Sequence, residues 1–192
     1  WQRCLGGTNQ ESTEPQAFIN TKDGGYAMTA STFSNDGNVS GNHGKNDTWV
    51  VKLNFYGEFE WQRCLGGSDR DQGRSIMQTQ DQGYIIAGDT YSNGNGDVTG
   101  NHGGAGGDCW IVKLDLRGNI EWQKCLGGNN YDYANSIVQT IDGGYIMAGN
   151  TSSIDNGDVK GSHGKSDAWI VKLDSRGNIE WQKCLGGNNS DY

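Results

Sequence analysis

The apolar residues of this chain fall in short runs separated by clusters of Gly, Asn, Asp and Ser. One run, Ser136-Ile137-Val138-Gln139-Thr140, reaches a turn at Asp142-Gly143-Gly144 and returns through Tyr145-Ile146-Met147-Ala148-Gly149. After a long polar loop, Ala168-Trp169-Ile170-Val171-Lys172-Leu173 turns through Ser175-Arg176-Gly177-Asn178 into Ile179-Glu180-Trp181-Gln182-Lys183-Cys184-Leu185. Runs rich in β-branched and aromatic residues, bounded by Gly/Asn/Asp turns, predict strands joined as hairpins. This stretch therefore predicts four antiparallel strands.

The same order recurs along the chain. Trp1, Trp61, Trp122 and Trp181 each open a Trp-Gln-Arg/Lys-Cys-Leu-Gly-Gly heptad, at spacings of 60, 61 and 59. Between heptads come a Thr-x-Asp-x-Gly-Tyr turn, an apolar strand, a Gly/Asn loop with one His, and Trp-Ile/Val-Val-Lys-Leu. Four strands in a period of this length predict the blade of a β-propeller, whereas the coils of a β-solenoid, the main rival, are usually much shorter. The expected fold is all-β, a partial β-propeller of four-stranded antiparallel blades in repeats of about 60 residues. Residues 1–7 form the outer strand of a preceding blade, 8–67, 68–128 and 129–187 three blade repeats, and 188–192 the start of another. Because the chain begins and ends inside the motif, and propellers typically carry about 4 to 8 blades, further blades of a longer polypeptide are expected.

Composition narrows the function. Hydrophobic residues are only 33%, but 32 Gly dilute the count, and seven Trp and eight Tyr concentrate apolar area in few side chains. A net charge of -8 speaks against a nucleic-acid partner, since phosphate binding needs Lys/Arg clusters. No apolar run approaches the roughly 20 residues of a spanning helix, so membrane insertion is not expected.

Two loop classes share one face of a propeller, because antiparallel strands alternate in direction. They are 66–74 and 127–135 between blades, and 35–47, 93–108 and 155–167 within blades. Binding is expected on that face, with Phe33, Tyr91, Tyr131 and Tyr133 as candidate ligand contacts because these aromatics vary between repeats. The first interblade loop, 8–16, is two residues longer than its counterpart and carries Glu11, Glu14 and Pro15. Asp36 and Asn38, Asn95 and Asp97, and Asp155 and Asp158 offer oxygen ligands around Gly bends, as Ca²⁺ loops do, although Asn/Asp-Gly is equally ordinary turn chemistry. Ca²⁺ is thus the one cofactor candidate. His43, His102 and His163 recur once per blade, too far apart for one zinc, and are expected to bond their own loop backbone.

Trp49, Trp110, Trp169 and the heptad Trp are expected in the interblade core. Cys4, Cys64, Cys125 and Cys184 are expected as small buried thiols. Cys109 has no counterpart in the other repeats, and its symmetric placement with Cys125 about Arg117 allows a cross-strand disulfide.

Leu126-Gly127-Gly128 with Asp132-Tyr133, Asp142-Gly143-Gly144-Tyr145-Ile146, Ala148-Gly149, and Gly164 through Asp167 and Trp169-Ile170-Val171-Lys172-Leu173-Asp174 to Trp181 together resemble the SBBP-type β-propeller repeat of bacterial secreted and surface proteins. The resemblance spans the chain. It implies extracellular display and a binding or scaffolding role toward protein or glycan, with no defined active site. The turns at Thr21, Thr79 and Thr140 also resemble the Asp-box of sialidase propellers, a structural motif even in those enzymes. The reading is a non-catalytic surface-recognition segment, with a purely structural spacer, or part of an enzyme whose active site lies elsewhere, as alternatives.

Overall fold

A computed structural model describes residues 1–14 and 17–191; Pro15, Gln16 and Tyr192 lie outside the described residues. The described chain is all-β and forms three separate antiparallel sheets. The first contains β1 (Glu11–Ser12), β2 (Phe18–Asn20), β3 (Tyr26–Thr32), β4 (Asp47–Leu53) and β5 (Phe59–Leu65), with β1 and β2 both pairing with β3 as two pieces of one innermost strand. The second is β6 (Asp71–Gln78), β7 (Tyr84–Thr90), β8 (Asp108–Leu114) and β9 (Ile120–Leu126), in sequence order. The third repeats it as β10 (Asp132–Gln139), β11 (Tyr145–Thr151), β12 (Asp167–Leu173) and β13 (Ile179–Leu185). Each innermost strand begins several residues before the apolar run that marks it in sequence. A one-residue bulge, at Arg74 in β6 and at Asn135 in β10, carries the pairing past the polar stretch.

The sheets stack face to face, and their first strands converge: β6 contacts β3 on one side and β10 on the other. Because both faces of the middle sheet are covered, all seven residues of β7 and of β8 are buried. One cluster joins Val50 and Leu65 of the first sheet to Ile86, Trp110, Val112 and Cys125 of the second. Another joins Ile85, Cys109 and Ile111 on the opposite face to Met147, Trp169 and Val171 of the third.

Trp49, Trp110 and Trp169 are buried as expected, each indole N–H donating to a Gln one strand over, Gln62, Gln123 or Gln182. The heptad Trp are different. Trp61 and Trp122 are half-buried and meet Tyr84 and Tyr145 edge-on across the blade junction, and Trp1 makes the same contact with Tyr26 while remaining exposed. Cys64, Cys125 and Cys184 are buried; Cys4 is exposed.

The Cys109–Cys125 disulfide is not formed. Pairing sets Leu114 opposite Ile120 but Lys113 opposite Trp122, so Glu121 is an extra residue and the register shifts by one. Cys109 then faces Leu126, while Cys125 faces Trp110. A shift of one residue sends the two thiols to opposite faces of the sheet, into the two different clusters, and both are free.

Candidate functional site

Most of the residues considered as Ca²⁺ ligands fasten a within-blade loop to the junction between that blade and the preceding repeat. Asp36 accepts the Thr8 amide and hydroxyl, and Asn38 accepts Gly6 N–H. Asn95 and Asp97 accept Ser68 and Gly66 N–H, Asp158 accepts Gly127 N–H, and Asp155 accepts Gly161 N–H within its own loop. Each of these oxygens thus serves a backbone donor, which is the turn-chemistry side of the alternative. Among the described residues, no group of three or more His, Cys, Asp or Glu is arranged to hold a metal ion. The two loop classes meet: Ser68 and Asp69 donate their N–H groups to Asn95 and Ser92, and Asn129 and Asn130 theirs to Asn156 and Ser153.

The three His are separated, one per blade, but their ring partners are carboxylates instead of backbone. His43 Nδ1 lies 2.7 Å from Asp47 Oδ2 and His102 Nδ1 2.6 Å from Asp108 Oδ2, while His163 Nδ1 stands 3.4 Å from Asp167 Oδ2. Each His also donates its own N–H to the same Asp. The shallow clefts nearby recur with the blades: His43, Cys64 and Asp97 line one of about 540 Å³ between the first two sheets, and His102, Cys125 and Asp158 line its counterpart of about 330 Å³.

At one place several departures from the repeat lie together. At the loop-face end of the innermost strands, pairing extends one residue beyond each sheet: Phe33 donates its N–H to Gln10, Tyr91 to Arg70 and Ser152 to Tyr131. These equivalent positions therefore hold Gln/Phe, Arg/Tyr and Tyr/Ser in successive blades. Tyr91 and Tyr131 meet across the second junction at 5.9 Å between ring centroids, and Tyr131 meets Tyr133 at 5.1 Å. The Arg70 guanidinium lies 5.7 Å from the Tyr91 ring centroid and that of Arg74 5.0 Å from Tyr133, within cation–π range. Three of the four aromatics singled out in sequence are thus brought together. Phe33 stands one blade away, exposed and outside the cluster.

The bulge supplies the charge. Arg74 is the bulged residue, and its Nε donates to Asp89 Oδ1 at 2.8 Å. Asp89 is fully buried, and its Oδ2 has no hydrogen-bond partner. In the third blade the same two positions are Asn135 and Asn150, and in the first, Ser31 replaces Asp89. Burial alone would lower the Arg74 pKa, but the adjacent Asp89 charge outweighs it and holds the guanidinium cationic. Burial and the same Asp89 push the Tyr131 phenol up to about 12. Arg70 donates to Gln72, and Gln72 in turn donates to Glu14 of the lengthened first interblade loop, at 2.6 Å.

The third departure is the loop beside these rings. His102 precedes its Asp partner by six residues, where the other blades have four. The extra length is glycine-rich, and Gly106 closes so tightly on the 130–131 backbone that a Cβ there would collide with the Tyr131 amide. Sequence reading missed Arg70, Arg74 and Asp89. Their signal was present, since each is charged where the equivalent residues of other repeats are not.

No protein-family model and no curated protein matches the chain. Among solved structures, a protein of unknown function from Bacteroides caccae is similar at a TM-score of 0.30 and 14% identity, over 88% of this chain. This chain spans 66% of that structure's length.

Proposed function

We propose that this chain is a non-catalytic recognition segment of a bacterial extracellular or cell-surface protein, binding protein or glycan through the rim formed by the second and third blades. The observation that carries the reading is the coincidence of departures from the repeat. The Arg74/Asp89 pair, the three Tyr, the lengthened Gly loop and the Glu14 insertion all meet at one rim. Rigid strands supporting varied loop-end side chains is how binding sites are commonly built on repeat scaffolds. The resemblance to SBBP-type repeats supports the extracellular setting.

The test is adsorption of the labelled chain to arrayed glycans and extracellular proteins, comparing two variants. Replacing Tyr91, Tyr131 and Tyr133 by Ser is expected to abolish the array signal, while Arg63→Ala in the outer cleft leaves it unchanged. Equal signal from both variants would put the site elsewhere, and no signal for the unmodified chain favours the spacer reading.

A further inference from the structure

We propose that the rim site takes an acidic saccharide, a glycan carrying uronic-acid-type carboxylates; this rests on the recognition reading and names its ligand class. The argument starts from what each rim group has left to offer. Arg74 is spent: its Nε is bonded to Asp89, it lies against Tyr133, and its side chain is only 20% exposed. Arg70 is not. Its side chain is 42% exposed, and its nearest carboxylate, Asp89, is 3.9 Å away, beyond hydrogen-bond distance. Among the described residues its side chain donates only to the neutral Gln72 amide oxygen. A guanidinium has five N–H donors in a planar fork, so Arg70 retains the geometry that grips a carboxylate in two parallel bonds.

The surroundings select the rest of the ligand. Tyr91, Tyr131 and Tyr133 form a continuous half-exposed strip of rings, amphipathic bodies that accept the apolar face of a sugar ring and present hydroxyls to its polar edge. Planar amides stand at the flank: Gln72, and Asn135 3.5 Å from Asn150. The strip sets ring faces beside hydrogen-bonding groups, as the faces and edges of a sugar require. The chain's net charge of -8 is screened beyond about 8 to 10 Å, and at the rim Arg70 meets its ionic partner Asp89 only at 3.9 Å, without a hydrogen bond, which leaves its fork open to a ligand carboxylate.

The experiment is calorimetric titration of the chain with oligogalacturonate, and with the same oligomer after its carboxyls are methyl-esterified. The acidic oligomer is expected to bind at least about tenfold more tightly than the ester and to weaken as salt is added. Arg70→Gln is expected to erase the difference between the two oligomers. Arg70→Lys, which keeps the charge and loses the fork, is expected to recover only part of it. Equal binding of both oligomers, lost together in Tyr131→Ala, overturns the acidic assignment and leaves rim recognition standing. Binding of neither oligomer also overturns it, and the arrays then decide the recognition reading separately. Acidic binding unchanged in Arg70→Gln shows attachment elsewhere and overturns it as well.

Discussion

Two carboxylates are buried side by side where one blade meets the next. Asp47 Oδ1 and Asp71 Oδ2 lie 2.9 and 2.6 Å from the place a Cβ would take on Gly66. Asp71 is fully served, accepting the Thr90 and Ser92 hydroxyls and the Gly67 amide. Asp47 gives Oδ2 to His43 and leaves Oδ1 buried without a partner, and Asp108 Oδ1 and Asp167 Oδ1 repeat the situation in the other blades. Burial therefore raises the pKa of both Asp47 and Asp71, with the neighbouring Asp47 charge adding to the rise at Asp71. A carboxyl whose folded pKa exceeds its unfolded value contributes most below the unfolded value, and that contribution is lost as pH rises through the folded one. Asp23 and Asp81 work in the opposite sense: burial opposes their ionisation, but hydrogen bonds from Thr21 or Thr79 and from a lysine pull each down to about 2. Their contribution is present above the ordinary value and is lost only as pH falls toward 2. Melting temperature is accordingly expected to fall as pH rises above the ordinary carboxylate range. Asp47→Asn, whose amide can donate where Oδ1 is orphaned, is expected to flatten that fall and raise Tm at the alkaline end. Asp71→Asn puts an NH2 in place of one of two accepting oxygens, facing either the Thr90 hydroxyl or the Ser92 and Gly67 donors, and is expected to lower Tm by the equivalent of about 1–3 kcal/mol. Equal losses from the two variants would contradict the assignment.

Each blade is also locked between its two hairpins. Lys113 Nζ, almost wholly buried, bonds Leu114 O, Glu121 at 2.7 Å and Asp81 at 2.9 Å, and Lys52 and Lys172 make the same triad in the other blades. Glu121 is the bulged residue, so the bulge and the lock are one device: the extra residue turns a carboxylate onto the lysine. Lys113→Met is expected to cost about 1–3 kcal/mol by urea unfolding, less than for a fully buried pair because both acids are half exposed to water. Removing divalent ions with a chelator is expected to leave Tm unchanged, since the loop oxygens already hold backbone amides. At this scale the turns were legible because Gly and Asp punctuate them. The one-residue bulge was not, and it alone undid the Cys109–Cys125 expectation. A Glu between two apolar residues, Ile and Trp, at the start of the strand, present as Glu121 and Glu180, was its signal.

Over the whole molecule, the 60-residue period made the blades legible, because each unit must bury its faces against a neighbour and so keeps its core residues in step. The rim was legible only in part. Tyr91, Tyr131 and Tyr133 stood out as variable aromatics, but which of them meet depends on two adjacent blades, and Phe33 is carried away by the same geometry. The stacked architecture also leaves the outer face of the third sheet uncovered, with Trp181, Leu185 and Val138 about half exposed. Fusing a further copy of residues 129–187 after the third blade is expected to raise Tm, by adding a nearest-neighbour interface. An unchanged Tm would count against blade stacking as the source of stability.

The most direct test of the central claim, that departures from the repeat converge to make a binding rim, is amide hydrogen exchange with and without saturating oligogalacturonate or the tightest array ligand. The account predicts slowed exchange confined to residues 70–74, 89–91 and 129–135. Protection centred instead on the recurring clefts around His43 or His102, or on the opposite face, would contradict it.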